Sequence, residues 1–158
     1  MPAAGENLAS SVLSVGLPYQ TAPLQNSNIG TPTSGSTETF DIILGYYQVN
    51  LIFGHWYRVV LDGMIGNGGV AGDQQTLNIR NSQSSSNPTS SSTLVAQTEW
   101  HCVTAGSGGR TGIPISSPFQ CVSGGINTFG FSSVLNSGTG PFTPVGSRSL
   151  YVVDIGGN

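Results

Sequence analysis

Residues 54–62 read Gly54-His55-Trp56-Tyr57-Arg58-Val59-Val60-Leu61-Asp62. Side chains of an extended chain alternate between two faces. Tyr57, Val59 and Leu61 therefore share one face, and Arg58 and Asp62 share the other. That is a strand with one face to bury. The same period continues in both directions. Phe40, Ile42 and Leu44 alternate with Asp41 and Ile43, Val49 leads through Leu51 to Phe53, and Leu77 and Ile79 alternate with Asn78 and Arg80. Residues 93–98 and 100–104 predict two strands or one long bent strand. Residues 119–122, 127–132 and 150–155 add more, and 11–15 a short one. Gly, Pro, Ser and Asn separate them. No window of about 11 residues keeps a helical apolar period free of Gly or Pro, and helix formers are scarce. The pattern predicts an all-β fold, a jelly-roll-like two-sheet β-sandwich.

The length suits one domain. Residues 40–158 form the expected sandwich. Residues 1–39 differ: Pro18, Pro23 and Pro32 are spaced among Asn, Ser, Thr and Gly, with apolar anchors at Leu8, Val12, Leu13, Val15, Leu17 and Tyr19. They predict an extended N-terminal arm, ordered against its own domain or a neighbouring subunit. Within the sandwich, the glycine-rich stretch 63–73 reads as a flexible hairpin loop. Residues 82–92 read as a polar tip with no core-forming residue.

Charge is scarce. Four arginines (Arg58, Arg80, Arg110, Arg148) face seven acids, there is no lysine, and 7% of residues are charged. An average soluble domain is about 25% charged. The net charge of −3 and the lack of a basic cluster argue against nucleic acid as a partner. No apolar run approaches the roughly 20 residues of a membrane helix, so no membrane partner is expected. Residues 1–10 have neither the positive charge nor the apolar stretch of a signal peptide, which points to synthesis and assembly in the cytoplasm. Cys102 and Cys121 read as two buried thiols on neighbouring strands, with a disulfide formed after release as the alternative.

Motifs for chemistry are thin. Gly66-Asn67-Gly68-Gly69 lacks the Lys-Ser/Thr ending and following helix of a phosphate loop. Asp62, Asn67 and Asp73 match no calcium-loop spacing and read as turn caps. His55 and His101 have abundant serines to pair with, but no Gly-x-Ser-x-Gly elbow exists. No catalytic residue, metal or cofactor is expected. Arg58 and Arg80 lie in strands whose alternate residues are apolar, so each is on the outer face or is a partly buried cation paired with Asp41, Asp62 or Asp154. Both read as structural ion pairs within or between subunits rather than ligand contacts. Trp56, Tyr57 and Trp100, with Tyr46 and Tyr47, read either as core or interface aromatics or as a glycan-stacking platform.

Three motifs carry a likeness. Gly54-His55-Trp56-Tyr57-Arg58-Val59 has the form Gly-x-x-Tyr-Arg-Val, Leu77-Asn78-Ile79-Arg80 follows, and Val152-Val153-Asp154-Ile155-Gly156 comes near the end. This arrangement resembles small β-sandwich virion structural proteins of tailed phages that infect actinobacteria. Arginine without lysine also suits a GC-rich coding background. The resemblance implies a capsid decoration protein, head fibre or minor tail protein, assembled in the host cytoplasm and housed in the virion. It implies a homotrimer whose partners are the major capsid protein or other virion proteins. Capsid decoration is the expected role, and a minor tail protein or receptor- or glycan-binding module at the tail is the alternative. The two cysteines depart from the family pattern.

Overall fold

A computed structural model describes residues 38–40, 46–62, 65–67, 71–103, 111–112, 115–138, 143–145 and 149–156. Its regular elements are all β-strands. The expected strand at 11–15 and the arm up to residue 37 lie outside the described residues.

The larger sheet has five strands: β1 (Thr39–Phe40), β2 (Tyr46–Leu51), β5 (Gln74–Ser82), β6 (Thr93–His101) and β9 (Gly125–Ser137). β9 is its spine. β1 and β2 pair in succession along one side of β9, and β5 and then β6 lie on the other. The second sheet runs β11 (Ser149–Gly156), β3 (Trp56–Asp62), β8 (Ile115–Gln120). A third runs β10 (Thr143–Val145), β4 (Ile65–Asn67), β7 (Thr111–Gly112), each strand a few residues along the chain from its counterpart in the second. Every pairing is antiparallel. The chain crosses repeatedly between sheets, from β2 to β3, to β5 and β6, to β8, to β9 and finally to β11. That alternation makes the two-sheet sandwich jelly-roll-like.

The period-two reading of residues 54–62 holds. Tyr57, Val59 and Leu61 are wholly buried, while Arg58 and Asp62 are exposed. They meet Leu77, Ile79, Phe129 and Phe131 of the larger sheet in one core. Phe119 bridges the layers, with its ring centroid 5.9 Å from Tyr57 and 5.6 Å from Phe129. Burying a large apolar side chain stabilises by about 1.5–3 kcal/mol.

Several local expectations change. Phe53 does not continue β2; it is 72% exposed. The chain turns there, with the His55 N–H donating to the Ile52 carbonyl, and Gly54 adopts the positive φ that this turn requires. The glycine-rich stretch 63–73 is not simply a loop, because residues 65–67 form β4 and pair with strands on both sides. Residues 93–101 are one strand, kinked by a bulge where Arg80 pairs with Leu94 and Ile79 with Ala96, leaving Val95 extra. The segment 82–92 folds back over the larger sheet. Its Ser84 and Ser85 carbonyls accept from Thr128 and Gln48 (2.7 Å each), and Pro88 is buried near Gly130 and Tyr46. Cys102 and Cys121 are buried and form no disulfide with each other, but they do not lie on neighbouring strands as first read. Cys102 follows the end of β6 that pairs with Gln74, and Cys121 lies at the opposite end, bonded to His55.

Candidate functional site

The sheets are clothed differently on their outer faces. On the larger sheet, Asn78 and Ser132 point outward and face each other across β5 and β9. Glu38, just before β1, reaches over them. Its carboxylate accepts from Arg80 Nε (2.7 and 2.9 Å), from Asn78 Nδ2 (3.2 Å) and from the Ser132 hydroxyl. Arg80 also donates to the Ser92 carbonyl (2.8 Å), and Gln97 donates to Asn78 Oδ1 (3.0 Å). The Glu38 and Arg80 side chains are 6% and 16% exposed. Burial pushes the Glu38 carboxyl up, but the hydrogen bonds from Arg80, Ser132 and Asn78 and the Arg80 charge outweigh it, and the net shift is downward. Arg80 is thus the expected structural ion pair, but with a different partner. Its acid is Glu38, because the segment entering β1 passes over the outward side of β5.

On the three-stranded sheet, Trp56, Arg58 and Val60 of β3 point outward beside Tyr151, Val153 and Ile155 of β11. Trp56 is 40% and Ile155 42% exposed. Val153 faces Arg58 across the pair, and Pro118 faces it from β8. Arg58 is exposed and makes no ion pair among the described residues, so it takes the outer-face reading within one chain; Asp41, one of its expected partners, lies outside the described residues. Outward orientation at the centre of a sheet face that no described segment covers keeps it in water. Asp62 ends β3, exposed.

Asp154 points inward and is 1% exposed, and its partner is His55 rather than an arginine. Its Oδ2 lies 3.1 Å from His55 Nδ1, and its Oδ1 accepts from the Gly156 N–H (2.9 Å). The His55 ring stacks near Tyr57. This pair fastens the β11 bulge at residues 154–156 to the turn that starts β3. No hydroxyl or thiol bonds to His55 among the described residues. Also among the described residues, no three His, Cys, Asp or Glu side chains gather to hold a metal.

Of the two readings of Trp56, Tyr57 and Trp100, the core one holds for Tyr57 and Trp100. Tyr57 is fully buried, with its hydroxyl accepting from the Ile52 N–H (2.9 Å), and Trp100 is 4% exposed. Inward strand positions took both rings into the core, and Trp56 alone stays outside.

One feature escaped the sequence reading. At the seam where β6 edges one sheet and β8 the other, a cleft of about 280 Å³ opens between them. Asn81 and Asn127 sit in it, 4% and 1% exposed. A signal existed: Asn81 continues the inward series Leu77, Ile79, and a polar residue there breaks the apolar period.

No protein-family profile matches this chain, and no curated protein does. Among solved structures it is similar to part of the insecticidal delta-endotoxin Cry8Ea1 of Bacillus thuringiensis, at 11% identity and a TM-score of 0.42, covering 76% of this chain and 19% of that one. It is also similar to part of the CBM22-1–GH10 modules of Clostridium thermocellum endo-1,4-β-D-xylanase 10B, at 16% identity and a TM-score of 0.39, covering 69% and 19%. Likenesses this low carry nothing about function. The class that the structure itself defines is an all-β, two-sheet sandwich.

Proposed function

We propose that this chain is a structural protein of a phage virion, a capsid decoration protein that assembles as a trimer on the capsid surface and stabilises the shell. The supporting observation is the outer face of the β11-β3-β8 sheet. It presents Trp56, Val60, Tyr151, Val153 and Ile155 around Arg58, the one cation of this face among the described residues. Apolar area removed from water stabilises by about 25 cal/mol per Å². A face of this kind therefore favours contact with another copy or with capsid protein, and little charge has to be desolvated. The strands that carry the Gly-x-x-Tyr-Arg-Val and Val-x-Asp-Ile-Gly motifs, β3 and β11, are the ones that build this face. Of the motif residues, Arg58 and Ile155 lie on this face, while Tyr57, Val59, Val152 and Asp154 point into the core and set the strands in place.

Sedimentation velocity over a concentration series tests the first step: the wild-type chain is expected to be a trimer. A Trp56→Ser, Val153→Ser double variant is expected to be a folded monomer, with an unchanged circular dichroism spectrum. Co-sedimentation with purified undecorated capsids tests the second, with binding that saturates in proportion to the shell. A wild-type chain that stays monomeric and leaves capsids untouched would overturn the proposal.

A further inference from the structure

We propose that the cleft between β6 and β8 binds a neutral, hydroxyl-bearing ligand, a sugar residue of a glycan, through the Asn81 side-chain oxygen. The polarity of the two amides there is fixed by the backbone. Asn127 Nδ2 donates to the Ser123 and Gly125 carbonyls (3.0 and 3.1 Å), which are acceptors only. Asn127 must therefore present Oδ1 to Asn81. Asn81 answers with Nδ2, which donates to it at 3.0 Å. That leaves Asn81 Oδ1 with no hydrogen-bond partner among the described residues and with under 1 Å² of exposed surface, so a ligand hydroxyl reaches it once the cleft lining shifts slightly. A buried acceptor left unmatched is costly, and a ligand that donates to it recovers much of that cost.

The rest of the lining narrows the class. Gln120 and Thr93 supply neutral donors and acceptors, and Phe119 and Val95 supply apolar surface. No charged side chain lines the cleft among the described residues, which disfavours ionic ligands. A volume of about 280 Å³ suits one ring rather than a large ligand. The alternative donor, a peptide N–H added along a strand edge, is discouraged on both sides. Pro118 interrupts the edge of β8, and the bulge at Val95 breaks the edge of β6 beside the cleft. A sugar hydroxyl meets neither obstacle. The cleft lies between the sheets, so the inference does not depend on the assembly proposed above.

The test is a ¹H–¹⁵N NMR titration of the full chain with glucose, galactose, mannose, N-acetylglucosamine and their disaccharides. Saturable shifts of the Asn81 and Asn127 side-chain NH₂ signals are expected for at least one of them. For that sugar, one monodeoxy analogue should bind roughly tenfold more weakly to the wild type, and the difference should vanish in Asn81→Ala. Since that variant removes the donor to Asn127, Gln120→Ala, which gives up one exposed hydrogen bond to the Gly54 carbonyl (3.2 Å), serves as a second probe that weakens the same sugar while the circular dichroism spectrum stays unchanged. The deoxy series on the wild-type chain reads out the contact without any substitution. The Trp56→Ser, Val153→Ser protein should bind the sugar as the wild type does, which separates this idea from the assembly reading. The inference is overturned by the absence of saturable shifts across the panel, or by deoxy analogues that all bind equally. A peptide mixture that shifts β6 backbone amides while no sugar shifts the cleft amides would overturn it too.

Discussion

On the outer face of the five-stranded sheet, Asn78 and Ser132 are at most 2% exposed, whereas on the outer face of the three-stranded sheet Trp56 and Ile155 are 40% and 42% exposed. The covered face is polar and the open face is apolar. Hydrophobicity alone would place them the other way round. The covered face is held by matched hydrogen bonds and one ion pair, supplied by Glu38 and by the returning segment 82–92. Such a network fixes a geometry, since each buried polar group must find its partner. The open face has apolar area and no covering segment among the described residues. One face completes the monomer; the other is suited to a contact between molecules.

The comparison breaks most readily at Arg80. Arg80→Ala leaves the Glu38 carboxylate buried without its cation, and removing one member of a buried pair costs about 3 kcal/mol or more. Chemical denaturation should show a lower midpoint with an unchanged slope. The same link sets a pH dependence. The folded carboxyl of Glu38 is depressed, so its contribution is complete above the ordinary glutamate range, about 4.3, and is lost as pH falls through the folded value. Denaturation midpoints of the wild type should drop in that acid window, and those of Glu38→Gln should drop less.

A smaller effect is expected where segment 82–92 meets the sheet. A Cβ at Gly130 would lie 3.0 Å from Pro88 Cγ and 3.0 Å from Tyr46 Cδ1. Gly130→Ala should therefore cost about 1–3 kcal/mol by overpacking. Proteolysis within residues 82–92 should quicken in parallel. If the variant melts like the wild type, that segment is not pressed against the sheet.

The smallest effect belongs to the open face. Arg58→Ala should change the unfolding free energy of the monomer by no more than about 0.5 kcal/mol. A loss as large as that of Arg80→Ala would show that the two faces do not differ.

Much of the fold was legible because burial follows the strand period. Tyr57, Val59 and Leu61 went inward as their alternation required, and so did Leu77 and Ile79. Phe53 misled because an aromatic in phase with β2 looks like a strand residue, while Gly54, one residue on, turns the chain. The site was less legible. Arg80 was recognisable as a structural cation, but Glu38 lies 42 residues away along the chain. His55 and Asp154 lie 99 residues apart. Such pairings depend on which strands become neighbours, and alternation within a strand carries no record of that.

The sequence by itself determined an all-β chain with period-two strands, almost no charge and its aromatics in strand runs. These follow from local rules: side-chain alternation, turn chemistry and composition. Only the tertiary structure decided which outer face would be covered, which acid each cation or histidine would meet, and that two asparagines would line a cleft at the seam. Those outcomes rest on strand order and register, which bring together residues that no local pattern connects.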